Sequence, residues 1–557
     1  MNDKQINIGL ILESKTINKY IKDFIEWSKE EEGITIAYYL IQENNFSSEG
    51  NNEPRLKRII KRIISEGLIK IIQNRIKRLI INFEQRRNIQ NSQHHKDHMV
   101  KVNIDQYGIE KIEYKAVYSK SGVSFRFSEK SLNEIRNLDI DLLLRFNKRI
   151  IRGEALTLAK HGILSIHLGS DITNRGGPSG FWEVYNEEAS SSFIIQQLTE
   201  NLDNGNIVFR GSIPTQKSWS LNRAELNLRA ISYLKMVILY LSRNQELPNF
   251  KDSFPFTTKL NTDPTNKEMI SYLIKRFKNR KKDKKYNNNQ NTYGVGFQKT
   301  QWGKMEYRKA HFIENPPNHF LADPFVYRFK GEDYCFVEAF NYLEKKAQID
   351  VYKLIEDKYE YLGIALKEDF HLSFPYIFEF KENVYMIPES AKNKDIRLYK
   401  AVNFPLDWEL EEVLIDNIDA ADSLVFHHNK KWWLFTNVDP LMKGDHNFQL
   451  DIYYSDNLLK GDWIPHKQNP VILEPTFARN GGILFNKDNI YRVGQKFGFY
   501  KKYGLGFSIR KILHLDEESY IESEEASYED YYSSEIIGSH HIHSNSIYTV
   551  FDIWKKA

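Results

Sequence analysis

A single cysteine, Cys335, among 557 residues excludes an internal disulfide and leaves no cysteine-rich metal site. No apolar run approaches the ~18 residues that a membrane-spanning helix needs. Charge of one sign is scarcely in excess, with 78 Lys and Arg against 74 Asp and Glu and a net charge of +4. Charge alone does not decide for or against nucleic acid, but no RNA-binding signature accompanies it, and nucleic acid is not an expected partner. The opening MNDKQINIGLILES is too short in its apolar run and too promptly charged for a secretory signal, and it reads as a first β-strand. A cytoplasmic protein is expected, with a peripheral place at the inner membrane surface left open. No metal site is expected.

What is present falls into two halves. In the first, short apolar strands at 6–12, 34–41, 140–146 and 162–168 alternate with helical stretches, which predicts a mainly parallel sheet wrapped by helices. Ligands of such sheets lie at the carboxyl ends of the strands, and His167 stands at one of them. From Arg55 to Asn88 there are eleven Lys or Arg against two Glu, with Ile59, Ile60, Ile63, Ile64, Ile71, Ile72, Leu79, Ile80 and Phe83 at helical spacing. That pattern predicts a basic amphipathic helix or helical pair, suited to packing on the domain or to resting on anionic lipid. KRFKNRKKDKK at 275–285, followed by YNNNQNT, reads as solvated linker.

The second half repeats itself. Segments 323–338, 374–389, 422–435, 481–494 and 541–551 each carry a β-rich run, a polar turn and a second β-rich run. Their starts lie roughly 50 to 60 residues apart, a period that fits five propeller blades. The expected organisation is a Rossmann-like α/β domain over 1–245 with a basic helical insertion at about 46–115, a basic linker over 246–300, and an all-β five-bladed propeller over 301–557.

The candidate chemistry of the first half begins with IHLGSDITNRGGPSGFWEV at 166–184. Its glycines let a backbone approach a ligand closely and its proline fixes the turn. LTENLDNGNIV, at 198–208, places Asp203 in a turn where a carboxylate can meet the His167 imidazole, a pair suited to general acid and base work near neutral pH. Asp171 and Glu183 are further polar candidates, each equally readable as a turn residue or a solvent-facing acid.

Over Ile6 to Met236, interrupted by the basic insertion, the chain resembles the folate-dependent formyltransferases, which include methionyl-tRNA and sugar N-formyltransferases. His167 and Asp203 match the family's histidine and aspartate, and Arg175-Gly176 matches its Arg-Gly loop. Ser165 stands where the family has an asparagine that stabilises an oxyanion. The resemblance implies 10-formyltetrahydrofolate as formyl donor, in a pocket around residues 145–147 and 199–205 that includes Arg145 and Asn147. It implies an amino sugar, nucleotide- or lipid-linked, as acceptor.

From Trp302 to Val550 the sequence resembles the propeller domain at the amino end of plant glucosamine inositolphosphorylceramide transferases. ADPF at 322–325 is also similar to the opening of five-bladed-propeller glycosidases. Asp323, Glu338, Glu389 and Asp422 fall at equivalent positions of the repeat, while Phe374 stands where the repeat would put an aspartate. Glycoside hydrolysis needs two facing carboxylates, one of them protonated. These four are expected to bind glycan rather than cleave it. The alternatives are a glycosidase or glycosyltransferase working through the propeller beside a degenerate first domain, or a non-enzymatic carbohydrate-binding scaffold.

Overall fold

The computed structural model describes residues 5–43, 68–91, 100–147, 149–170, 176–200, 205–248, 260–286, 292–487, 489–500, 503–529 and 533–556. The chain divides into two compact units, the first running to Lys278 and the second beginning at Asn279, with Ser212–Pro214 grouped with the second.

The first unit is built on β1 (Ile6–Leu12), β2 (Ile34–Gln42), β3 (Glu110–Tyr114), β4 (Leu142–Arg145), β5 (Ile163–His167), β6 (Ser190–Gln197) and β7 (Asn206–Pro214). They form one sheet in the order β7-β6-β5-β4-β1-β2-β3. β1 through β5 run parallel and β6 is antiparallel to β5. The order reverses between β1 and β4, which opens a crevice at their carboxyl ends. α1 (Lys19–Glu30) buries Ile21, Phe24, Ile25 and Ser28, the i, i+3, i+4, i+7 face that a packed helix requires. The remaining helices include α2 (Leu68–Asn91), α3 (Glu129–Arg136), α4 (Trp182–Asn186), α5 (Trp219–Asn244) and α6 (Asn266–Tyr286). Leu132 and Ile135 of α3 join Ile11, Leu40 and Leu143 in one apolar cluster.

Three features of this unit differ from the sequence expectation. The stretch expected as helical insertion contains β3, which pairs with β2 from Tyr38–Glu110 to Gln42–Tyr114. Its residues, EKIEY, carry too few apolar side chains to announce a strand. The expected linker holds α6, anchored by the buried Met269 and Tyr272 ahead of its lysine-rich end. In α2, of the expected apolar stripe within the described residues, Ile80 is buried while Ile72, Leu79 and Phe83 are exposed. The isoleucines at 59–64 lie outside the described residues. The helix instead buries an acid: Glu84 accepts from Ser220 N at 3.1 Å and from the Tyr272 hydroxyl, and Arg276 reaches it at 3.2 Å.

The second unit consists of five antiparallel sheets. Sheets I to IV occupy residues 319–366, 373–416, 420–473 and 480–528, each begun by a hairpin. Sheet V joins the two ends of the unit, pairing Thr292–Gln298 with Thr549–Lys555 from Thr292–Lys555 to Gln298–Thr549. The opening strand of each sheet touches that of the next: His319–Phe329, Ser373–Phe380, Ala420–His428, Asn480–Asn486 and Ile542–Ser544, which touches the first again. Apolar faces fill the space between neighbours. Phe336, Ile349 and Val351 of sheet I, for example, meet Ile377, Met386 and Trp408 of sheet II.

Candidate functional site

In the first unit Arg145 and His167 are the last residues of β4 and β5. Ser165 pairs in parallel register with Arg145, two residues before His167 and on the same face of β5. Ser165 is buried; Arg145, Asn147 and His167 are half-buried. The Arg145 guanidinium donates from Nε to Asn147 Oδ1 at 3.1 Å and from NH1 to Ser165 Oγ at 3.4 Å. Asn147 in turn lies 3.5 Å from the Tyr114 hydroxyl, at the end of β3. Burial alone acts on the Arg145 pKa, lowering it to about 10, so the group stays cationic at neutral pH.

Gly176 pairs through its backbone with Asn261. Gly176 sits at φ +101°, where an added Cβ would lie 2.0 Å from the Asn261 carbonyl oxygen, so only glycine fits. Asp203, Arg175 and Asp171 lie outside the described residues. Glu183 is buried in α4, and that burial pushes its carboxyl up to about 7.

In the second unit the repeat produces the site. Each opening strand of sheets I to IV carries a bulge against its partner, at Asp323-Pro324, Phe374-Pro375, Asp422-Ser423 and Gly481-Gly482. Asp323, Phe374 and Asp422 take φ of 47°, 47° and 50°, a left-handed conformation rare for such residues. Bulges redirect side chains, and here they recur at one place in each sheet. The residue paired just before the bulge is Glu338 in sheet I, Glu389 in sheet II, Asn437 in sheet III and Gly494 in sheet IV. Phe374 is the buried occupant of the position that carries aspartate in sheets I and III.

The four predicted carboxyls therefore do converge, and they arrive with partners that the sequence reading missed. His540 Nε2 lies 3.1 Å from Asp323 and its Nδ1 2.8 Å from Asp552. Burial opposes the imidazolium, yet Asp552 and Asp323 push its pKa up to about 10. Burial would raise Asp323, but the hydrogen bond and charge of His540 hold it below the usual carboxylate range. Arg479 donates from Nε to Asp422 Oδ2 at 2.6 Å and stands 3.8 Å from Glu389. Gln495 also donates to Asp422, at 3.2 Å.

Glu338 and Glu389 behave oppositely to Asp323. Burial, then the charges of Asp323 and Glu389, hold Glu338 well above the carboxylate range. Burial and then Asp422 push Glu389 up to about 8. The centre thus combines carboxyls that hold their protons, Glu338 and Glu389, with an ionised Asp323, the two protonation states that glycoside hydrolysis uses. Tyr293 and Tyr503 place their rings 5.0 and 4.8 Å from the His540 ring and wall this centre.

Among the described residues, Asp323, His540 and Asp552 form the grouping with three metal-ligand atoms within 4.8 Å of one another. A protonated His540 between the two carboxylates offsets one of their two charges. Arg479 could have been sought in the sequence as the residue preceding the Asn-Gly-Gly bulge. His540 and Asp552 could not, because they meet Asp323 only through closure by sheet V.

Residues 310–542 match the family described as glucosamine inositolphosphorylceramide transferase 1, N-terminal. The glucosamine inositolphosphorylceramide transferase 1 of Arabidopsis thaliana is 40% identical over 213 residues, covering 37% of this chain and 27% of its own length. The chain therefore spans about a quarter of that relative. The GDP-perosamine N-formyltransferase of Brucella melitensis biotype 1 is 32% identical over 111 residues, 19% of this chain and 42% of that protein. A solved sugar N-formyltransferase from Shewanella sp FDAARGOS_354 overlays 48% of this chain and 87% of its own at 15% identity, with a TM-score of 0.27. Both curated relatives are transferases by name, and a transferase-type enzyme is the class they support. Among the described residues no helix is long and apolar enough to cross a membrane.

Proposed function

We propose that the first unit transfers a formyl group from 10-formyltetrahydrofolate to the amine of a nucleotide- or lipid-linked amino sugar, for a surface polysaccharide or glycolipid. In this reading the second unit is a five-bladed propeller, residues 301–557 in its main part, that holds the glycan. The observation that carries it is the gathering of Arg145, Ser165 and His167 at the strand ends beside the sheet's switch point. The likeness to GDP-perosamine N-formyltransferase adds weight. Arg145, a half-buried cation with neutral neighbours, and Asn147 stand at the same strand end.

The co-substrate supplies the formyl carbon. His167, oriented by Asp203, takes the proton that the attacking amine loses as the new C–N bond forms. It returns that proton to the folate nitrogen as the old C–N bond breaks. Ser165 offers one hydroxyl donor to the intermediate's oxygen. The Arg175-Gly176 match to the family's loop is assigned to co-substrate binding in the same reading.

The test is incubation with 10-formyltetrahydrofolate and a panel of nucleotide-linked amino sugars, following release of tetrahydrofolate. Turnover by the wild type and a fall of about 10²–10⁴ in His167→Ala are expected. No turnover on any amino sugar, or full activity in the variant, would sink the proposal.

A second reading is favoured by the centre of the other unit, where neutral Glu338 and Glu389 face ionised Asp323. There the chain would process a glycan as a glycosidase or glycosyltransferase. Glycan turnover that survives His167→Ala and disappears in Asp323→Asn selects it, and glycan binding without turnover selects a scaffold. We place the enzyme in the cytoplasm, resting on anionic membrane through α2. There Ile72, Leu79 and Phe83 are exposed beside Arg75, Arg78 and Arg86.

A further inference from the structure

A guanidinium taken out of water is normally met by a carboxylate, because a cation left among neutral groups is costly. The second unit obeys this rule: Arg479 lies against Asp422, and Arg492 against Glu522 at 2.7 Å. Arg145 does not. Among the described residues its hydrogen-bond partners are two neutral oxygens, Asn147 Oδ1 and Ser165 Oγ. These two contacts occupy Nε and one N–H of NH1, while a guanidinium carries five N–H donors. Three donors therefore remain on a rigid fork fixed at the end of β4, beside Ser165 and two residues across from His167. Ser165 itself can present only one hydroxyl hydrogen.

We infer that Arg145 is the oxyanion-binding residue of the first unit, its remaining N–H donors receiving the negative oxygen that develops when an amine attacks the bound carbonyl carbon. This rests on the formyl-transfer reading and adds to it the group that stabilises the transition state. As the amine adds, the carbonyl π pair moves onto oxygen beside Arg145. When the intermediate collapses the pair returns and the bond to the leaving nitrogen breaks. Arg145 neither gains nor loses a proton. A fixed cation aimed at developing charge in a partly dehydrated site stabilises the transition state more than the ground state. Asn147, braced at Tyr114, positions the fork and touches no reacting atom.

The same donors would also suit a standing anion, a carboxylate or phosphate that either substrate carries throughout the reaction. Kinetics separate the two sources, because a standing anion is bound equally in ground and transition states and its loss raises KM, whereas an oxyanion contact appears in kcat. For Arg145→Gln we expect kcat to fall by about 10²–10³ with KM for both substrates changed by less than about threefold. Arg145→Lys, which keeps charge and length without the fork, should fall by about tenfold. Introducing Ser165→Asn into the Arg145→Gln background should recover kcat by about tenfold, since an asparagine amide restores a donor at the neighbouring position.

A binding readout accompanies these, with formate as a carboxylate probe. Formate should raise the melting temperature of the wild type, and the shift should vanish in Arg145→Gln. A rise confined to KM, no rescue by Ser165→Asn, or an undiminished formate shift in Arg145→Gln would each overturn the inference. If the wild type transfers no formyl group, the reading beneath it falls instead, while the formate shift still reports whether Arg145 binds an anion.

Discussion

Arg145 in the first unit meets two neutral oxygens, whereas Arg479 in the second lies 2.6 Å from Asp422 with Glu389 3.8 Å away. The second centre supplies its own counter-ions: His540 lies against Asp323 of sheet I and Asp552 of sheet V, and Arg479 against Asp422 of sheet III. Among the described residues the first offers Arg145 no counter-ion, and it is suited to completion by a ligand. A self-satisfied cluster fixes protonation states and shape, while an unsatisfied one reserves its interaction energy for what binds.

That contrast can be broken most sharply by deleting the two cations. Arg479→Met strands Asp422 in the interior and should cost about 3–5 kcal/mol. Arg145→Met leaves, among its described hydrogen-bond partners, only neutral groups and should change stability by less than about 1 kcal/mol. Denaturant unfolding, with hydrogen exchange to assign the loss to one unit, decides. Equal costs would erase the distinction.

Both units expose apolar side chains, and on α2 of the first they stand beside arginines. Leu79 is 68% exposed and Phe83 59%. If α2 lies on anionic lipid, Phe83→Ser should weaken sedimentation with phosphatidylglycerol vesicles by about 1.5–3 kcal/mol. It should leave the negligible binding to phosphatidylcholine unchanged. Equal binding of wild type and variant to both lipids would refute the membrane surface.

The effect that is smallest per step is that of pH. Glu389 is pushed from the usual 4.5 up to about 8, so the folded protein retains a proton that the unfolded chain releases. Stability is therefore greatest below about 4.5 for this group and declines as pH rises toward 8. The slope is at most about 1.4 kcal/mol per pH unit. Glu389→Gln should flatten that component, measured as unfolding free energy between pH 5 and 8; an unchanged slope would place the acidic behaviour elsewhere.

Repetition decides what the sequence reveals. Asp323, Glu338, Glu389 and Asp422 are legible because each recurs at one offset from a bulge, and the alternation of strand and helix exposes β1, β2, β4 and β5. His540 and Asp552 are illegible because they meet Asp323 from a segment far along the chain rather than by local pattern. β3 hides in EKIEY, and α6 hides behind its lysines although Met269 and Tyr272 anchor it. Glu84 looks like a stray acid in a basic helix until Arg276, Ser220 and Tyr272 arrive from distant segments.

The pairing of Thr292–Gln298 with Thr549–Lys555 has a consequence for biogenesis. The strand that begins the second unit must wait, half-paired, until Thr549–Lys555 has emerged from the ribosome. Sheets I to IV can assemble in succession, but Asp323 acquires His540 and Asp552 only at that last step. Until then the nascent unit carries an unneutralised acidic interior and an open edge, the state most in need of a chaperone.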